Sequence, residues 1–456
     1  MTKKLAAFFI LIMVMIVGLS SCSIAGYSLG AFEKNKGDFR EGVVTPINWK
    51  VGISFPNSGF SLFDESTVGR WSMIQEELVS QLQDAGYQKG NIIVKSENNR
   101  KDQISDIQDL INKDINQLIV VPTEFTKKEL QSGASDTKPL EGQDKSLVDV
   151  LNQARSNKTF VGILGPTGVD SFNPDYLFAT PSVEDVANVQ AGYVESHLNL
   201  PGIRDDGTVE PALSTGFKPK NLEILAADAI RDTTKRYFTT IWNRLKPYFD
   251  AGYLKSASGL LTKDTEPEDY KKVAVVEEGD KSAGVMHNII NKYYKNANST
   301  TIANKQTLDV ALGQTDAQAR GIIRAAVEFG WTADDSFWPL VLGANTEKSS
   351  LLDIVEDKQA MSIAYDSKAL VLGIVEVLQK LALNEPYITK ADTSMASNEL
   401  KKDFSEKDGT LYVENVTTDT GVVYPTIVAR PVTIQPDNIK SFLVDKGYAS
   451  AQDAGI

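Results

Sequence analysis

The chain has 456 residues, 42% hydrophobic and 23% charged, with one cysteine, two histidines and a formal net charge of −13. That balance is ordinary for packed globular domains, and the length allows two or three of them. It excludes a nucleic-acid surface, whose phosphates require a basic face, and a body held on anionic lipid by its own charges.

The N-terminus has its own grammar. Lys3 and Lys4 precede an apolar run from Leu5 to Val17, too short to span a bilayer comfortably and typical of a secretory signal. Leu19-Ser20-Ser21 leads into Cys22, the lone cysteine, which has no second thiol to pair with. This resembles the lipobox of bacterial lipoproteins. The resemblance implies a signal peptide over 1–21, acylation of Cys22, and a protein anchored at the extracytoplasmic face of the cell membrane. Two acyl chains suffice for stable anchoring. An ordinary secretory signal with an incidental cysteine is the alternative. Residues 22–47, rich in Gly, Ser and charge, read as a tether.

From Trp49 the elements alternate. Val51 to Phe55 is a short apolar strand that ends at Pro56-Asn57-Ser58-Gly59. Trp71, Ile74, Leu78 and Leu82 form one helical face, with Gly86 as its stop. Asn91 to Lys95 is a second strand. Ile104, Ile107, Leu110 and Ile111 mark the next helix, and Gln117 to Val121 is an almost wholly apolar third strand. The pattern predicts a helix over Leu147–Ala154, strands at Phe160–Leu164 and Tyr176–Ala179, and a helix from Val183 to about His197. Strand Leu222–Leu225 and helix Tyr237–Phe249 follow, the latter with Phe238, Ile241, Leu245 and Phe249 buried. Helix Val285–Tyr294, strand Leu308–Leu312, helix Gly321–Phe329, strands Leu340–Leu342 and Ser362–Ala364, and an apolar helix Leu370–Leu383 complete the series. Apolar strands alternating with amphipathic helices imply parallel sheets covered on both faces. There are too many βα units for one sheet, so two α/β lobes are expected. Thr126–Lys145 and Pro201–Lys220 are polar insertions expected to be surface loops, and 260–280 is acidic and loop-like.

Several segments together resemble the sugar-binding group of type I periplasmic substrate-binding proteins, notably the xylose-binding and multiple-sugar-binding proteins of ABC transporters. They are the first strand with its loop and Arg70-Trp71; Asp102-Gln103-Ile104 through Leu110-Ile111; and Leu118-Ile119-Val120-Val121-Pro122. Leu245-Lys246-Pro247-Tyr248-Phe249 is similar in the same way. So is the ending from Val423-Tyr424-Pro425 through Arg430-Pro431-Val432 to Lys446-Gly447-Tyr448. The resemblance covers nearly all of 48–450. It implies two Rossmann-like lobes with parallel-type sheets joined by three crossings, and a ligand bound at the carboxyl ends of the strands. The crossings are expected near 165–175, 343–347 and 384–388. Residues 48–170 would then open lobe 1, 171–344 lobe 2, 345–385 return to lobe 1, and 386–456 finish lobe 2.

A sugar is recognised by flat aromatic rings and by side chains that make fork-like hydrogen bonds to hydroxyls. Arg70 matches the family's sugar-contacting arginine. Trp71 is a stacking wall or, equally, the start of a core stripe. Phe60 and Phe63 are further stacking candidates. Asn98 and Asn99 follow the second strand, where the family places an amide or carboxylate, although such an Asn often caps the next helix. Asp316 follows the Leu308–Leu312 strand and would accept from two hydroxyls, or else cap its helix. Asn345, in Gly343-Ala344-Asn345, stands where the family has Asp, and Arg231 and Asp232 are weaker candidates. The family's charged runs after the fourth and fifth strands are replaced by Gly165-Pro166-Thr167 and Thr180-Pro181-Ser182.

The expected function is that of a lipid-anchored binding component of an ABC importer, monomeric, capturing a sugar or similar small polar ligand for a permease. The alternatives are a degenerate relative acting as a sensor or surface partner, or a binder of a non-sugar polar molecule. An enzyme is not expected: there is no Gly-x-Ser-x-Gly elbow, zinc-type cluster or P-loop, and His197 and His287 fall unpaired in helices. The first turn lacks Gly-x-Gly-x-x-Gly, so no dinucleotide is expected, and no metal or other cofactor.

Overall fold

The computed structural model describes residues 49–57, 66–166, 168–210, 218–275, 279–294, 306–335, 338–382, 411–417 and 423–456. The signal sequence, Cys22, the tether, Phe60 and Phe63 lie outside them. The chain divides into two compact units. The first comprises Met1–Ser58, Ile74–Thr180 and Lys368–Ala429, and the second Gly59–Met73, Pro181–Ser367 and Arg430–Ile456.

The first unit is built on a seven-stranded sheet of β1 (Val51–Pro56), β2 (Ile92–Glu97), β3 (Gln117–Val120), β4 (Phe160–Gly165), β5 (Tyr176–Ala179), β13 (Leu411–Thr417) and β14 (Val423–Ala429). Their spatial order is β13-β14-β5-β4-β3-β1-β2. Every pairing is parallel except β13 with β14. All six residues of β1 are buried, which is why it reads as a mostly apolar run, with Ser54 its one polar side chain. Helices α1 (Trp71–Asp84), α2 (Arg100–Asn112), α3 (Lys127–Gln131) and α4 (Leu147–Ser156) connect the first strands. Ile104, Ile107, Leu110 and Ile111 of α2 enter the core with Leu118, Val120, Val150, Leu151, Val161 and Ile163. Gly162 is required by packing: a Cβ there would fall inside the Tyr176 ring.

The second unit has a four-stranded parallel sheet ordered β11-β10-β8-β9, from β8 (Lys220–Leu225), β9 (Leu254–Lys255), β10 (Val310–Gly313) and β11 (Leu340–Leu342). Its helices are α5 (Val183–His197), α6 (Asp232–Asp250), α7 (Gly279–Tyr293), α8 (Asp316–Glu328) and α9 (Lys348–Val355). α6 buries Tyr237, Phe238, Ile241, Trp242, Leu245, Tyr248 and Phe249, which includes the whole expected stripe. β12 (Ser362–Ala364) pairs antiparallel with β15 (Val432–Ile434), and an isolated bridge joins Leu342 to Met361. The last α-helix among the described residues, α10 (Ser367–Ala382), begins in this unit and continues into the first, where Gln117 Nε2 donates to Leu378 O at 2.9 Å.

The passages between units differ from those expected. Apart from the excursion over 59–73, the chain changes unit after Thr180, Ser367 and Ala429. The positions near 165–175 and 343–347 lie inside units, and 384–388 lies outside the described residues. Edge pairing explains the difference: β5 adds to β4, β12 to β15, and β14 to the free side of β5, so 171–180 and 411–429 join the first sheet and 345–367 stays in the second unit.

The insertions also carry more structure than loops. α3 opens with a capping box between Thr126 and Glu129, and β6 (Gly202–Ile203) and β7 (Val209–Glu210) form a small hairpin. A short 3₁₀ helix, Pro267–Lys272, lies in the acidic 260–280 stretch.

Candidate functional site

In both units the loops after the parallel strands collect the polar residues singled out above. In the first unit, β1 and β2 end side by side, and Asn57 Nδ2 donates to Asn98 Oδ1 at 3.2 Å on an exposed face. Asn99 is the N-cap of α2: its Oδ1 accepts from Asp102 N at 2.9 Å and its Nδ2 donates to Asp102 Oδ2 at 2.8 Å. The capping role anticipated as the alternative is the one Asn99 performs.

Beneath this edge lies a buried polar layer. Gln103 Nε2 donates to Ser54 Oγ at 3.1 Å and Val121 O at 2.8 Å, while its Oε1 accepts from Thr123 N and Thr123 Oγ1. One glutamine thus ties the carboxyl ends of β1 and β3 to α2. Arg100 is buried, donates through Nε to Thr123 O at 2.8 Å, pairs with Asp136 of the first insertion, and lies 4.4 Å over the Phe125 ring. Burial lowers its pKa, opposed by Asp136. Glu97, the last residue of β2, is buried with Oε1 accepting from Ser54 Oγ at 3.4 Å. Burial, helped by the Asp106 charge, pushes its carboxyl up to about 8.

In the second unit, β8, β10 and β11 lead into 226–231, 314–316 and 343–347. Gln190 Nε2 donates to Gly313 O and Gly343 O at 2.9 and 3.0 Å, fixing the strand ends against α5. Arg231 is the N-cap residue of α6 and half-buried, and Asp232 is exposed in its first turn.

Asp316 is not offered to solvent. It is 0% exposed, and its carboxylate accepts from Glu347 N and Ser350 Oγ at 2.8 Å, Gln359 Nε2 at 2.7 Å and Ser362 Oγ at 2.9 Å. Its acceptor sites are engaged inside the unit, so the fork to two ligand hydroxyls expected from the sequence does not fit its surroundings. Burial and the Glu347 carboxylate push its pKa up against those hydrogen bonds. Glu347 itself pairs with Arg320.

The neighbouring turn is built on two residues with positive φ, Asn345 at 101° and Thr346 at 53°. Asn345 N donates to Ile363 O at 3.1 Å, and Thr346 N to Ser362 Oγ at 2.8 Å. The segment Ser66–Gly69 lies against this turn. Ser66 bridges to Glu347, and Ser66 Oγ accepts from Val68 N and Gly69 N, closing a tight turn before Arg70. Arg70 is exposed, whereas Trp71 is 4% exposed at the start of α1, ahead of the buried Ile74, Leu78 and Leu82.

The second unit therefore brings the Arg70–Trp71 segment, Asn345 and Asp316 to linked loops. Arg231 and Asp232 follow β8 in the same unit, and Asn98 and Asn99 belong to the first unit. Thr346, Thr67, Gln359 and the clamping role of Gln103 went unread from sequence. Gln103 and Gly343 did stand inside quoted motifs, and those were the available signals. His197 stacks on Tyr193 and His287 on Phe329, both on helices. Among the described residues no cluster of three His, Cys, Asp or Glu could hold a metal ion, and no helix is long and apolar enough to cross a membrane.

No family model matches the chain. Two curated proteins are similar over most of its length. The "Multiple sugar-binding periplasmic protein SbpA" of Azospirillum brasilense is 22% identical over 408 residues, 89% of this chain and 93% of that one. The "Multiple sugar-binding periplasmic receptor ChvE" of Rhizobium radiobacter is 23% identical, covering 88% and 91%. Among solved structures, an ABC transporter solute-binding protein from Clostridium phytofermentans with bound β-D-glucose superposes with a TM-score of 0.57, at 22% identity over 89% of this chain and 99% of that one. A carbohydrate transporter solute-binding protein from Chloroflexus aurantiacus in complex with D-glucose gives 0.56, at 19% identity over 89% and 98%. This chain has the α/β fold of the solute-binding proteins of ABC sugar transporters.

Proposed function

We propose that this protein is the extracytoplasmic binding component of an ABC importer and captures a sugar or similar small polar ligand. The observation that carries the reading is full-length likeness: two curated relatives called multiple-sugar-binding each cover close to nine-tenths of the chain. The ligand contacts we assign are Arg70 and Asn345 on the second unit and Asn98 on the first. Arg231 and Asp232 are secondary. Trp71 and Asn99 serve the helix starts at which they stand. Arg70 supplies a fork of donors for adjacent hydroxyls, and the amides supply paired donors and acceptors without a fixed charge.

Attachment through an acylated Cys22, on the strength of the N-terminal sequence, is part of the proposal, and so is a monomeric state. Isothermal titration of the purified protein with D-glucose and a panel of other monosaccharides tests the binding claim. A dissociation constant near micromolar, about −8 kcal/mol, is expected for capture followed by release. No heat and no thermal shift across the panel would leave the sensor or surface-partner reading. Mass spectrometry of the membrane-extracted protein tests the anchor: an unmodified Cys22 excludes it.

A further inference from the structure

We propose that the Thr346 hydroxyl is a ligand contact of the second unit, presented beside the Asn345 amide by a turn that Asp316 positions. The proposal rests on the sugar-binding reading above.

Buried polar atoms almost always find a hydrogen-bond partner, so those that do not call for an explanation. Around the ends of β10 and β11, Gln318 Nε2, Asn345 Oδ1, Thr346 Oγ1 and Gln359 Oε1 are buried and have no partner among the described residues. At Thr346 the contrast between backbone and side chain is sharp. Its N–H donates to Ser362 Oγ and its carbonyl accepts twice from Thr67, yet its hydroxyl bonds to nothing described. The turn itself is costly. A β-branched residue at φ 53° is a conformational outlier that persists only where its surroundings over-determine it, and such outliers gather at ligand-holding sites. Gly or Asn would sit there with less strain. Neither would supply a hydroxyl.

What over-determines the turn is Asp316. Thr346 N–H donates to Ser362 Oγ, whose own hydroxyl donates to Asp316, and Asp316 also accepts from Glu347 N on the other side of Thr346. The carboxylate thus holds the turn on both sides of the Thr346 side chain through two short links. It acts through Ser362 and Glu347, so it is a positioning residue. The groups left for a ligand are an amide oxygen that accepts, an amide nitrogen that donates and a hydroxyl that does both. None of these carries charge, and each can pair with a hydroxyl of a sugar.

Thermal unfolding without ligand and calorimetric titration with D-glucose and a monosaccharide panel, on the whole protein, test the assignment. Thr346→Val keeps the β-branch and removes the hydroxyl. It is expected to unfold at the same or a higher temperature and to bind at least ten-fold more weakly, while Thr346→Ser returns to within about three-fold of the native affinity. Asp316→Asn is expected to lower both the unfolding temperature and the affinity. Unchanged affinity in Thr346→Val, or a loss of stability in it while the native protein still binds, overturns the contact alone. A native protein that binds no sugar of the panel overturns the sugar reading and the contact with it. Unchanged stability and affinity in Asp316→Asn overturns the positioning role.

Discussion

Thr67 and Thr346 are joined twice through one acceptor: the backbone N–H and the side-chain hydroxyl of Thr67 both donate to the Thr346 carbonyl, each at 3.0 Å. The two residues are 279 apart in sequence, so this pair fixes the Arg70-bearing segment onto the turn that carries Asn345. The bridge from Ser66 to Glu347, the bond from Ser367 Oγ to Val68 O and the burial of Val68 hold the same segment. Thr67→Val removes the hydroxyl donor and keeps the shape. It is expected to cost about 1 kcal/mol in a denaturant titration, as a single buried hydrogen bond does. A variant as stable as the native protein would show that the hydroxyl bond adds nothing to the hold on the segment.

Gly343 has no room for a side chain, because a Cβ would meet Asp316 Oδ1 and Gln359 Nε2. Gly343→Ala is therefore expected to destabilise by about 1–3 kcal/mol, the usual range for overpacking. Asp316→Ala costs more, since it strips Ser362, Ser350 and Gln359 of a shared acceptor. The double variant should be less destabilised than the two singles added, because removing the Asp316 carboxylate vacates the space that a methyl group on Gly343 needs. Simple additivity in urea midpoints would contradict this geometry.

How much of this could be read in advance depends on the kind of signal. The strands at Val51, Gln117 and Phe160 and the stripe of α6 are local patterns of burial, and the sequence shows them directly. The passages between units are not local. They follow from which sheet edge accepts β5, β12 and β14, and a strand's sequence does not name its partner. The same limit applies at the carboxyl edges. Asp316 and Asn99 have the residue types of a sugar clamp, yet Asp316 is enclosed by donors from four other residues and Asn99 caps α2. Type and position along a strand end do not say whether a side chain turns outward or into the fold.

Asn98 and Asn99 separate these roles within one dipeptide. Asn99→Ala removes the cap of α2 and is expected to cost about 1 kcal/mol, with Asn99→Asp close to neutral. Sugar affinity should stay within two-fold of native in both. Asn98→Ala breaks only an exposed bond to Asn57, so stability should hardly change while affinity falls. The reverse pattern, in calorimetry and thermal unfolding, would exchange the two assignments.

Gln103 makes four hydrogen bonds that no apolar side chain replaces, to Ser54, Val121 and twice to Thr123. Gln103→Leu leaves the Val121 carbonyl and the Thr123 amide buried without this partner. A loss of about 2–4 kcal/mol is expected, more than a typical surface change and comparable with a core truncation. The slope of the denaturant transition should be unchanged, because the fold itself is kept.

Glu97 gives the first unit a pH dependence of definite sign. Its carboxyl is raised from 4.5 to about 8 by burial and by the Asp106 charge, so the folded chain holds this proton more tightly than the unfolded one. The stability it contributes is fully present below pH 4.5 and is lost as pH rises through about 8. Glu97→Gln mimics the protonated form at every pH. The variant and the native protein should unfold at similar temperatures near pH 5, and by pH 9 the variant should be the more stable by about 1–3 kcal/mol. Asp106→Asn removes part of the cause and should narrow that gap. Parallel pH profiles for native protein and Glu97→Gln would place the ionised carboxylate in water, and would mean that the end of β2 opens to solvent.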